Sequence, residues 1–566
     1  MTADELFKQH RARLEQAGVA CQTRAAWSPF ADQPSAYPDF ATARAAGEAA
    51  FKSRLGHRDA LTLPGVQDWV GEEVSPYTQQ LLGIEYPRCD LDASFKAAAS
   101  GVAAWSAASP QQRAGVLLEI IDRIYRQHLF DLAYAVMHTT GQSFNMSYAG
   151  SGVNALDRGI EALVYACDAM DAVAPQALWQ RAFGSAQIKL EKRYRLVPRG
   201  VAVCFTCASF PTWNAYPSMI ASLATGNAVI VKPHPATVLP MAISALVFRE
   251  VLAECDFDPN LVSMVVDTTS EPIGKRIIKH PDCAIVDFTG SARFGQWVEQ
   301  NAHPALCYTE TAGCNVVVLD ACEDLDSVIH SLATTLCLFS AQMCTSPQNI
   351  YLPADGVRVG SGPVATRVPV DEVTRKLVSA LSAIAQDPKK AAAILAAIQS
   401  PVTLELIAAL QADPANSVLL ASQAYVHPEF PAARTATPLL LGSTPQQRAL
   451  YTTERFGPIS FAIRCRDSRD ALAQAARDVR EAGGLTAFVY STDPQFIADS
   501  EDAFARAGSQ LTVNLTGPMP LNFAAAYSDY HVTGLNPAGN ASLTDAAFVA
   551  SRFRIAQVRR PYTTGS

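Results

Sequence analysis

The sequence predicts an α/β fold of at least two domains, and three observations support this prediction. The chain has 566 residues, which is more than one hydrophobic core usually supports. From residue 201, short and largely apolar strands alternate with helices, as expected for a parallel sheet that is covered on both faces. A second alternation of strands and helices begins at residue 316. We assign the two alternations to two α/β domains.

Composition and charge exclude several classes of function. The chain has a net charge of −8 and no block of lysines and arginines long enough to hold nucleic acid. The N-terminus does not resemble a signal peptide, and no run approaches the roughly 18 apolar residues of a membrane span. Thirteen cysteines are scattered, and the single CxxC, Cys204 to Cys207, has no second pair and no histidine at ligand spacing. These features predict a cytoplasmic protein with reduced thiols and without a metal, membrane or nucleic-acid site.

Residues 1–95 are predicted to form an extension without chemistry of its own. Helical patterns at 3–17 and 41–55 flank a segment rich in proline and aromatic residues at 27–38. Packing or an interface is the expected role of this extension. Ser109 then caps a long amphipathic helix with proline at its first position.

The first alternation predicts where a ligand binds. The predicted strands are 201–205, 228–232, 261–266 and 283–288, and the predicted helices are 211–224, 240–253, 272–278 and 291–301. Ligands of parallel sheets bind at the carboxyl ends of the strands. Ser209, Lys232 and the pair Gly290-Ser291 follow such ends, so they are predicted to line the site.

The second alternation contains a candidate nucleophile, Cys344. The predicted strands are 316–319, 349–352, 417–420, 459–463, 485–490 and 510–514, and the predicted helices are 370–387 and 389–398. Cys344 lies among small and polar residues after an apolar helical run at 328–338. A thiolate is the strongest side-chain nucleophile near neutral pH, so an accessible Cys344 predicts covalent catalysis. A buried structural cysteine is the alternative.

Two strands of alternating apolar and polar residues lie outside this pattern. Residues 188–196 alternate strictly, which predicts an antiparallel or edge strand with an exposed face. A similar strand within 548–558 carries arginines and is predicted to pair with it. The exposed face either bridges subunits or contacts solvent.

Five segments in order resemble the aldehyde dehydrogenase superfamily. They are TGNAVIVKP at 225–233, FTGS at 288–291, Thr309-Glu310 with Gly313, QMC at 342–344 and ERFGP at 454–458. The spacing of Glu310 and Cys344 matches that of the base and the nucleophile in this superfamily. The resemblance covers about residues 95–560. The long N-terminal extension is most similar to the phenylacetic acid degradation protein N branch.

The resemblance implies a division of the chain into domains. A dinucleotide-binding domain of Rossmann type would comprise residues 96–180 and 197–310, and an α/β catalytic domain would comprise residues 311–515. Residues 181–196 and 545–566 would form a small bridging or oligomerisation element. This element would join copies of the chain into a homodimer or a homotetramer.

The resemblance also implies a reaction. The Cys344 thiolate would attack an aldehyde, and a hydride would pass to a nicotinamide dinucleotide, leaving a thioester. Glu310 would activate the water that hydrolyses the thioester to a carboxylic acid, or would activate Cys344 earlier. The branch implies an aldehyde from the degradation of aromatic rings, with a CoA-linked semialdehyde as a candidate.

Four residues are expected to bind the dinucleotide through its phosphates or adenosine ribose. Lys232 ends a buried strand, where ribose hydroxyls would give its charge a partner. Gly290 and Ser291 begin a helix whose free N–H groups would face the pyrophosphate, although Ser291 also suits an ordinary N-cap. Gly295 lets this helix approach the sheet closely.

Four further positions concern the two ribose rings. Glu454 would bind the nicotinamide ribose with Phe456 packed beside it, the alternative being a solvated glutamate before a turn. Pro235 stands where relatives that prefer NAD often place a glutamate against the adenosine ribose. Without that carboxylate a 2′-phosphate is not repelled, and His234 would add partial positive charge. NADP is therefore favoured over NAD.

Ser209 departs from the superfamily pattern. An asparagine followed by Phe-Pro usually stands here, and its amide helps to hold the developing oxyanion, whereas this chain has Ser209 before Phe210. Losing one such donor typically lowers turnover by about 100- to 1000-fold. The Ser209 hydroxyl would either donate in its place or only cap the following helix. Asn214 lies about 140° further around the helix and is expected to be poorly placed as a substitute.

Two alternative functions stay open. CoA-acylating aldehyde dehydrogenases form the same thioester, but such relatives tend to lack the glutamate, so Glu310 counts against this alternative. The other alternative is a binding or assembly component that keeps the fold with weak catalysis, and Ser209 favours it.

Overall fold

The computed structural model describes residues 1–311, 313–360, 362, 365–521, 530–543 and 545–562. It confirms the predicted α/β fold, with a five-stranded parallel sheet, a seven-stranded mixed sheet and three smaller sheets in these ranges. Every helix in the described part of the chain is too short or too polar to cross a lipid bilayer.

The helices and strands are numbered in chain order. The helices are α1 (Ala3–Thr23), α2 (Phe40–Arg54), α3 (Leu91–Ala107), α4 (Pro110–Arg123), α5 (Leu129–Thr140), α6 (Phe144–Tyr148), α7 (Ala155–Asp171), α8 (Pro211–Ala224), α9 (Leu239–Glu254), α10 (Gly274–Ile278), α11 (Ala292–Asn301), α12 (Leu325–Cys337), α13 (Val370–Ala385), α14 (Pro388–Ile394), α15 (Pro401–Ala412), α16 (Arg448–Tyr451), α17 (Ser468–Ala482), α18 (Pro494–Ala507) and α19 (Ala546–Ala550).

The strands follow the same order. They are β1 (Val66–Val70), β2 (Tyr86–Cys89), β3 (Gln176–Phe183), β4 (Ala186–Pro198), β5 (Val201–Phe205), β6 (Ala228–Lys232), β7 (Val262–Met264), β8 (Cys283–Gly290), β9 (Leu306–Thr311), β10 (Asn315–Leu319), β11 (Ala321–Cys322), β12 (Pro347–Pro353), β13 (Val357–Val359), β14 (Thr366–Val368), β15 (Ser417–Leu420), β16 (Leu439–Ser443), β17 (Ile459–Cys465), β18 (Thr486–Tyr490), β19 (Gln510–Val513) and β20 (Phe553–Pro561).

The N-terminal extension packs on a layer of helices. Helix α1 lies against α4, where His10 and Glu119 make a buried hydrogen bond of 2.9 Å. Helix α2 lies against α5. Ser109 caps α4 as predicted, through a capping box with Gln112, and the predicted apolar stripe from Leu117 is buried.

The five-stranded sheet has the strand order β7-β6-β5-β8-β9, and all its neighbouring strands are parallel. The chain adds strands in one direction from β5 and then in the other direction from β8. Ligands of such sheets bind where this reversal occurs, at the carboxyl ends of the strands. The sequence analysis did not predict β9, which carries Glu310, because its residues mix polar and apolar types without a clear period.

The seven-stranded sheet has the order β15-β16-β17-β12-β10-β18-β19. Only β15 is antiparallel to its neighbour. The sequence analysis missed β16, whose leucines favour helices as readily as strands. The helix predicted at 389–398 ends earlier, at Ile394.

The two alternating strands pair as predicted. In the antiparallel sheet β20-β4-β3, Ile555 of β20 faces Leu196 of β4. Strand β4 is central and not an edge, because β3, which was not predicted, covers its other side. Buried Arg552 anchors the C-terminal segment by an ion pair with Asp287 of β8.

Candidate active site

One cavity of about 740 Å³ brings together most of the predicted site residues. A cavity of this size suits a small-molecule or cofactor site. The predicted residues on its wall are Ser209, Lys232, His234, Gly290, Ser291, Glu310, Cys344, Glu454 and Phe456. Pro235 and Gly295 are not among the described residues of the wall, so direct contact with a ligand in this cavity is not supported for them.

Cys344 follows a strained turn after α12. Residues 339–341 have φ angles between 49° and 52°. The left-handed conformation costs a residue with a side chain about 1–2 kcal/mol, so three in succession need compensating contacts. One such contact is the Ser340 hydroxyl, which donates to the carbonyl of Leu395 at 2.9 Å.

The buried amide of Gln342 supplies further contacts to the turn. Its Nε2 donates to the carbonyls of Phe339 and Ala397 at 3.2 and 3.0 Å. Its Oε1 accepts from the backbone N–H of Gln399 at 2.9 Å. These bonds hold the loop that presents Cys344 to the cavity.

Asn315 fixes the backbone of Cys344 itself. Its Nδ2 donates to the carbonyls of Cys344 and Ser346 at 2.7 and 2.9 Å, and its Oδ1 accepts from the N–H of Leu485 at 2.9 Å. The Cys344 side chain is half-buried on the cavity wall, which argues against the alternative of a buried structural cysteine. Sequence reasoning missed the role of Asn315, since an asparagine at the start of a strand carries no distinct signal.

Glu310 lies at the centre of a buried polar group. Its side chain is 1% exposed on β9. Oε2 accepts a hydrogen bond from Nδ2 of Asn214 at 3.2 Å, and Oε1 lies 2.9 Å from Nε2 of His531. Cys344 and Glu310, predicted as nucleophile and base, therefore share one cavity with a histidine that the sequence analysis did not select.

His531 contacts Cys344 as well as Glu310. Its Nε2 lies 3.5 Å from Sγ of Cys344, and its ring meets the indole of Trp213 edge to face at 4.6 Å. The thiol, imidazole and carboxylate atoms all lie within 4.8 Å of one another, an arrangement that could hold zinc. The prediction of no metal site did not consider this group, because 187 residues separate His531 from Cys344.

The surroundings of Cys344 keep its thiol protonated. Burial, followed by the negative charge of Glu310, raises the pKa of Cys344 well above the ordinary value for cysteine. The thiolate fraction near pH 7 is therefore small, so a neighbouring base has to accept the proton before the sulfur can attack.

Ser209 and Asn214 differ from the sequence-based expectations. Ser209 is not the cap of α8, because the N-cap position belongs to Phe210, and the Ser209 hydroxyl lies 3.7 Å from Sγ of Cys207. Asn214 was expected to be poorly placed as a substitute donor, and its side chain nevertheless lies on the cavity wall, where its amide donates to Glu310. The rotation of about 140° was counted from Ser209 as if it were part of the helix, but α8 begins after it, at Pro211. Two polar side chains thus face the cavity near Cys344.

We predict that Ser209→Ala lowers turnover about tenfold without lowering the melting temperature. The loss is smaller than the 100- to 1000-fold typical of an amide donor, because a hydroxyl is a weaker donor to an oxyanion. Ser209→Asn should restore or exceed the original turnover. Steady-state kinetics and thermal unfolding of both variants test this. Unchanged turnover in Ser209→Ala would assign oxyanion binding to other groups, such as Asn214.

Lys232 and His234 also lie on the cavity wall. Lys232 is buried and donates to Asp267, with which it makes an ion pair, and to the carbonyl of Pro233 at 3.0 Å. The Lys232 ammonium was expected to find its partner in the ribose hydroxyls of the dinucleotide. In the structure, Asp267 already provides part of that partnership. Desolvation beside the cavity, followed by the positive charge of Lys232, lowers the pKa of His234 to about 4. This direction disfavours the positive charge that was expected of His234.

The helix after β8 begins at the cavity wall. Ser291 occupies the N-cap position of α11, but its side chain makes no capping hydrogen bond. The ordinary N-cap alternative is therefore not realised, and the first turn can present backbone N–H groups to an anion. The predicted close approach of Gly295 is present, because a Cβ atom there would lie 2.4 Å from the side chain of Thr311.

Two further groups fit a dinucleotide in this cavity. Glu454 is half-buried on the wall, where burial raises its pKa to about 8, so it is not the solvated glutamate of the alternative. The Thr206 hydroxyl, also on the wall, is buried without a hydrogen-bond partner in the described structure. An unpartnered buried hydroxyl is costly, and a bound ligand would relieve the cost. Together with Lys232 and Ser291, these groups suit ribose and phosphate.

Comparison with known proteins agrees with this geometry. A sequence model of the Aldehyde dehydrogenase family matches residues 69–516. A crystal structure of an NAD-dependent aldehyde dehydrogenase from Burkholderia multivorans superposes with a TM-score of 0.94 and 42% identity, covering 99% of both chains.

Two curated relatives are more distant. A D-glyceraldehyde dehydrogenase (NADP(+)) of Thermoplasma acidophilum is 23% identical over 481 residues, which cover 83% of this chain and 88% of that enzyme. A 1-pyrroline-5-carboxylate dehydrogenase 2 of Halalkalibacterium halodurans is 25% identical over 347 residues, which cover 58% of this chain. That match spans 64% of the relative, less than two thirds of its length.

Proposed function

The chain belongs to the aldehyde dehydrogenase family, and from this premise we propose that it oxidises an aldehyde to a carboxylic acid with NAD or NADP. The observation that carries the proposal is the placement of Cys344 and Glu310 in one cavity with Lys232 and Ser291. The first pair offers a nucleophile and a base, and the second pair offers groups that suit a dinucleotide.

The proposed mechanism assigns one task to each residue. The sulfur of Cys344 attacks the aldehyde carbon, and Ser209 or Asn214 on the same wall would donate to the developing oxyanion. A bound nicotinamide supplies the chemistry of hydride acceptance. Glu310 then takes a proton from the water that attacks the thioester, and the acid leaves as the carbon–sulfur bond breaks.

The dinucleotide would be held along the cavity wall. Lys232 would bind the adenosine ribose, the first turn of α11 after Ser291 would bind the pyrophosphate, and Glu454 would bind the nicotinamide ribose beside Phe456. Gly295 supports this arrangement indirectly, by letting α11 pack tightly on β9.

We propose that NAD binds at least as tightly as NADP. The preference for NADP rested on Pro235 and on partial positive charge at His234, and the lowered pKa of His234 weakens the second reason. Lys232 is already paired with the carboxylate of Asp267, which would repel a nearby 2′-phosphate. The Burkholderia relative is described as NAD-dependent.

We predict that Asp267→Asn raises the affinity for NADP relative to NAD by about tenfold, or about 1.4 kcal/mol. The substitution removes a negative charge and leaves Lys232 free to meet the 2′-phosphate. Pro235→Glu should move the ratio in the opposite direction. Fluorescence titration of both dinucleotides provides the measurement. If the ratio of the NADP and NAD affinities stays constant in both variants, the adenosine ribose does not bind beside Asp267 and Pro235.

The family by itself implies an aldehyde substrate without naming its class. We propose an aldehyde from the degradation of aromatic rings, with a CoA-linked semialdehyde as a candidate, because the N-terminal extension is most similar to the phenylacetic acid degradation branch. Phe210 and Trp213 on the cavity wall suit an apolar or aromatic group.

The alternative functions predict different products. CoA-acylating chemistry would release an acyl-CoA, but buried Glu310 close to Cys344 favours hydrolysis. A scaffold with weak catalysis was suggested by Ser209, and Asn214 on the same wall weakens that argument.

The oligomeric state and the cellular compartment of the protein are proposed from its surface and its cysteines. We propose a homodimer or homotetramer that uses the β20-β4-β3 sheet, where Leu178, Phe183 and Ile555 are exposed apolar residues. We retain the predicted domains, with the bridging segment extended to the bounds of β3 and β4. A cytoplasmic location is proposed from the scattered free cysteines.

A panel of aliphatic, aromatic and CoA-linked aldehydes, each with NAD and NADP, tests the proposed function. Reduced dinucleotide is followed by absorbance, and the product is identified by mass spectrometry. We expect a free carboxylic acid and an acyl adduct on Cys344. Formation of acyl-CoA in the presence of CoA, without free acid, would support the alternative chemistry. If none of the aldehydes is oxidised, the proposed function is wrong.

A further inference from the structure

We propose that Asn154 determines the substrate specificity of the cavity, by donating a hydrogen bond to a second, uncharged carbonyl group of the aldehyde substrate. Esters, amides and thioesters contain such a carbonyl group, whereas a free carboxylate is disfavoured. This inference deepens the proposed function and rests on it for the reaction. The binding of the aldehyde can nevertheless be measured without turnover.

A π-helical turn places Asn154 on the cavity wall. The turn comprises Ala149–Asn154 and connects α6 to α7, with helical backbone on both sides. Wide turns of this kind are rare and are found frequently at functional sites. Gly150 and Asn154 of the turn both line the cavity. The turn thus brings two positions of one helix to the cavity.

Hydrogen bonds fix this turn against the loop before α8. The amide of Gln142 donates to the hydroxyl of Ser151 and to the carbonyl of Ser209, at 2.9 and 2.7 Å. The hydroxyl of Thr212 donates to the carbonyl of Ser151. The side chains of Gln142, Ser151 and Thr212 are buried. A binding group on a turn that is held in this way keeps its position, as specificity requires.

The turn lies beside two aromatic rings of the cavity wall. A Cβ atom at Gly150 would lie 3.3 Å from the ring of Phe210. Four residues after Asn154, the guanidinium of Arg158 lies 5.1 Å from the ring centre of Trp213. Residues four apart in a helix share a face, so Asn154 lies between these two contacts and faces the same rings.

Both rings are close to the thiol. The ring of Trp213 meets that of His531 edge to face, and Nε2 of His531 lies 3.5 Å from Sγ of Cys344. The ring of Phe210 packs edge to face on Phe339, in the turn that precedes Cys344. An aldehyde bound to the sulfur would therefore extend its chain along these two rings, toward the π-helical turn.

The amide of Asn154 is available to a ligand. It is half-buried at the N-cap position of α7, and within the described part of the chain its side chain makes no hydrogen bond. The amide of Asn214, by contrast, already bonds to Cys207 and Glu310. A half-buried amide without a protein partner is satisfied by water or by a ligand. A carbonyl oxygen is a suitable acceptor for its N–H groups.

The lysines of the cavity wall do not offer a partner for a substrate carboxylate near Asn154. Among the described residues of the wall they are Lys232 and Lys275. Lys232 pairs with Asp267, and the ammonium of Lys275 lies 5.1 Å from the ring centre of Trp297 on α11. Both lysines therefore lie with groups that are proposed to hold the dinucleotide.

The charged groups nearer the thiol also disfavour a carboxylate. Arg158 is 1% exposed, donates to Glu161 at 2.9 Å and is not among the described residues of the wall. The carboxylate of Glu310 lies on the wall and would repel a second anion close to it. An ester, amide or thioester carbonyl avoids this repulsion and still accepts a hydrogen bond from Asn154.

Three aldehydes of similar length test this specificity. The methyl ester of succinic semialdehyde carries an uncharged carbonyl group, hexanal replaces the ester by methylene groups, and succinic semialdehyde itself carries a carboxylate. The full chain is assayed with each aldehyde at a saturating concentration of NAD. The ratio of kcat/KM for two aldehydes in one variant cancels general effects on folding, on the dinucleotide and on the thiol.

We expect the unsubstituted chain to prefer the methyl ester to hexanal and to succinic semialdehyde, by about tenfold each in kcat/KM. Asn154→Leu should lower the ratio of ester to hexanal about tenfold, because leucine has a similar size and no donor. Asn154→Asp should also lower this ratio, and it keeps the shape of the side chain and suits the start of a helix. Asn145→Leu, at an exposed asparagine of α6, should leave the ratio unchanged.

Equilibrium binding separates this inference from the proposed function. Calorimetric titration of Cys344→Ala with the methyl ester and with hexanal measures affinity where no bond to the sulfur can form. We expect the ester to bind about tenfold more tightly than hexanal. Addition of Asn154→Leu to Cys344→Ala should remove this difference.

Two results would overturn the inference. They are ester-to-hexanal ratios that stay unchanged in both Asn154 variants, and succinic semialdehyde that reacts as well as its methyl ester. If aldehydes are oxidised without this selectivity, only this inference fails. If no aldehyde is oxidised but the binding preference depends on Asn154, the proposed function fails and the binding role of Asn154 stands.

Discussion

Cys344→Ala is expected to abolish aldehyde oxidation, lowering turnover by at least about 10⁴-fold, while dinucleotide binding stays nearly unchanged. In the proposed mechanism the thiol of Cys344 forms the covalent bond to the substrate, and alanine offers no nucleophile in its place. Lys232 and Ser291, which are proposed to bind the dinucleotide, do not depend on the sulfur.

Turnover, dinucleotide titration and intact mass after incubation with aldehyde provide the measurements for this prediction. The unsubstituted chain should gain the mass of an acyl group, and Cys344→Ala should not. Cys255→Ala, which removes a half-buried thiol after α9, is the matched control and should keep full activity. Oxidation at the ordinary rate by Cys344→Ala would contradict the covalent mechanism and the proposed function with it.

Glu310→Gln is expected to separate the two halves of the reaction. Thioester formation should remain partly intact, whereas hydrolysis should slow by about 10²- to 10⁴-fold, because an amide cannot take a proton from water. A rapid burst of reduced dinucleotide should therefore precede a slow steady state. Gln has nearly the shape of Glu, so the hydrogen bond with Asn214 has a remaining acceptor.

Stopped-flow absorbance measures the burst, and quenched samples measure the acyl adduct on Cys344. Glu323→Gln, an exposed residue before α12, should show neither a burst nor a lower rate. A Glu310→Gln variant with ordinary steady-state turnover would remove Glu310 from the hydrolytic step. Loss of the burst together with loss of the adduct would instead place Glu310 in the first step, as the base that activates Cys344.

Much of the fold follows from local patterns. The strands that begin at Val201 and Ala228 were predictable because unbroken apolar runs have only one environment that suits them, the interior of a parallel sheet. The start of α4 was predictable because a serine cap and a following proline act within one turn. Strands β9 and β16 were missed because their burial depends on neighbours that are distant in sequence.

Some residues of the candidate site could likewise be predicted from local sequence, and others could not. Cys344, Glu310, Lys232 and Ser291 belong to short segments whose order and spacing can be read along the chain, and the structure places all four on one cavity. The placement of Asn214 was harder to predict, because it depends on the loop that precedes α8. The pKa of His234 depends in the same way on its surroundings in the folded chain, among them the charge of Lys232.

The sequence by itself determined the α/β class, the family and the positions proposed as nucleophile and base, because each depends on a periodic pattern or a contiguous motif. Only the tertiary structure decided that Asp267 neutralises Lys232, that Asn315 and Gln342 hold the Cys344 loop, and that His531 stands between thiol and carboxylate. Those contacts join residues far apart in the chain. A hydrogen bond of about 3 Å is set by how the sheets and loops pack, and no local pattern encodes that distance.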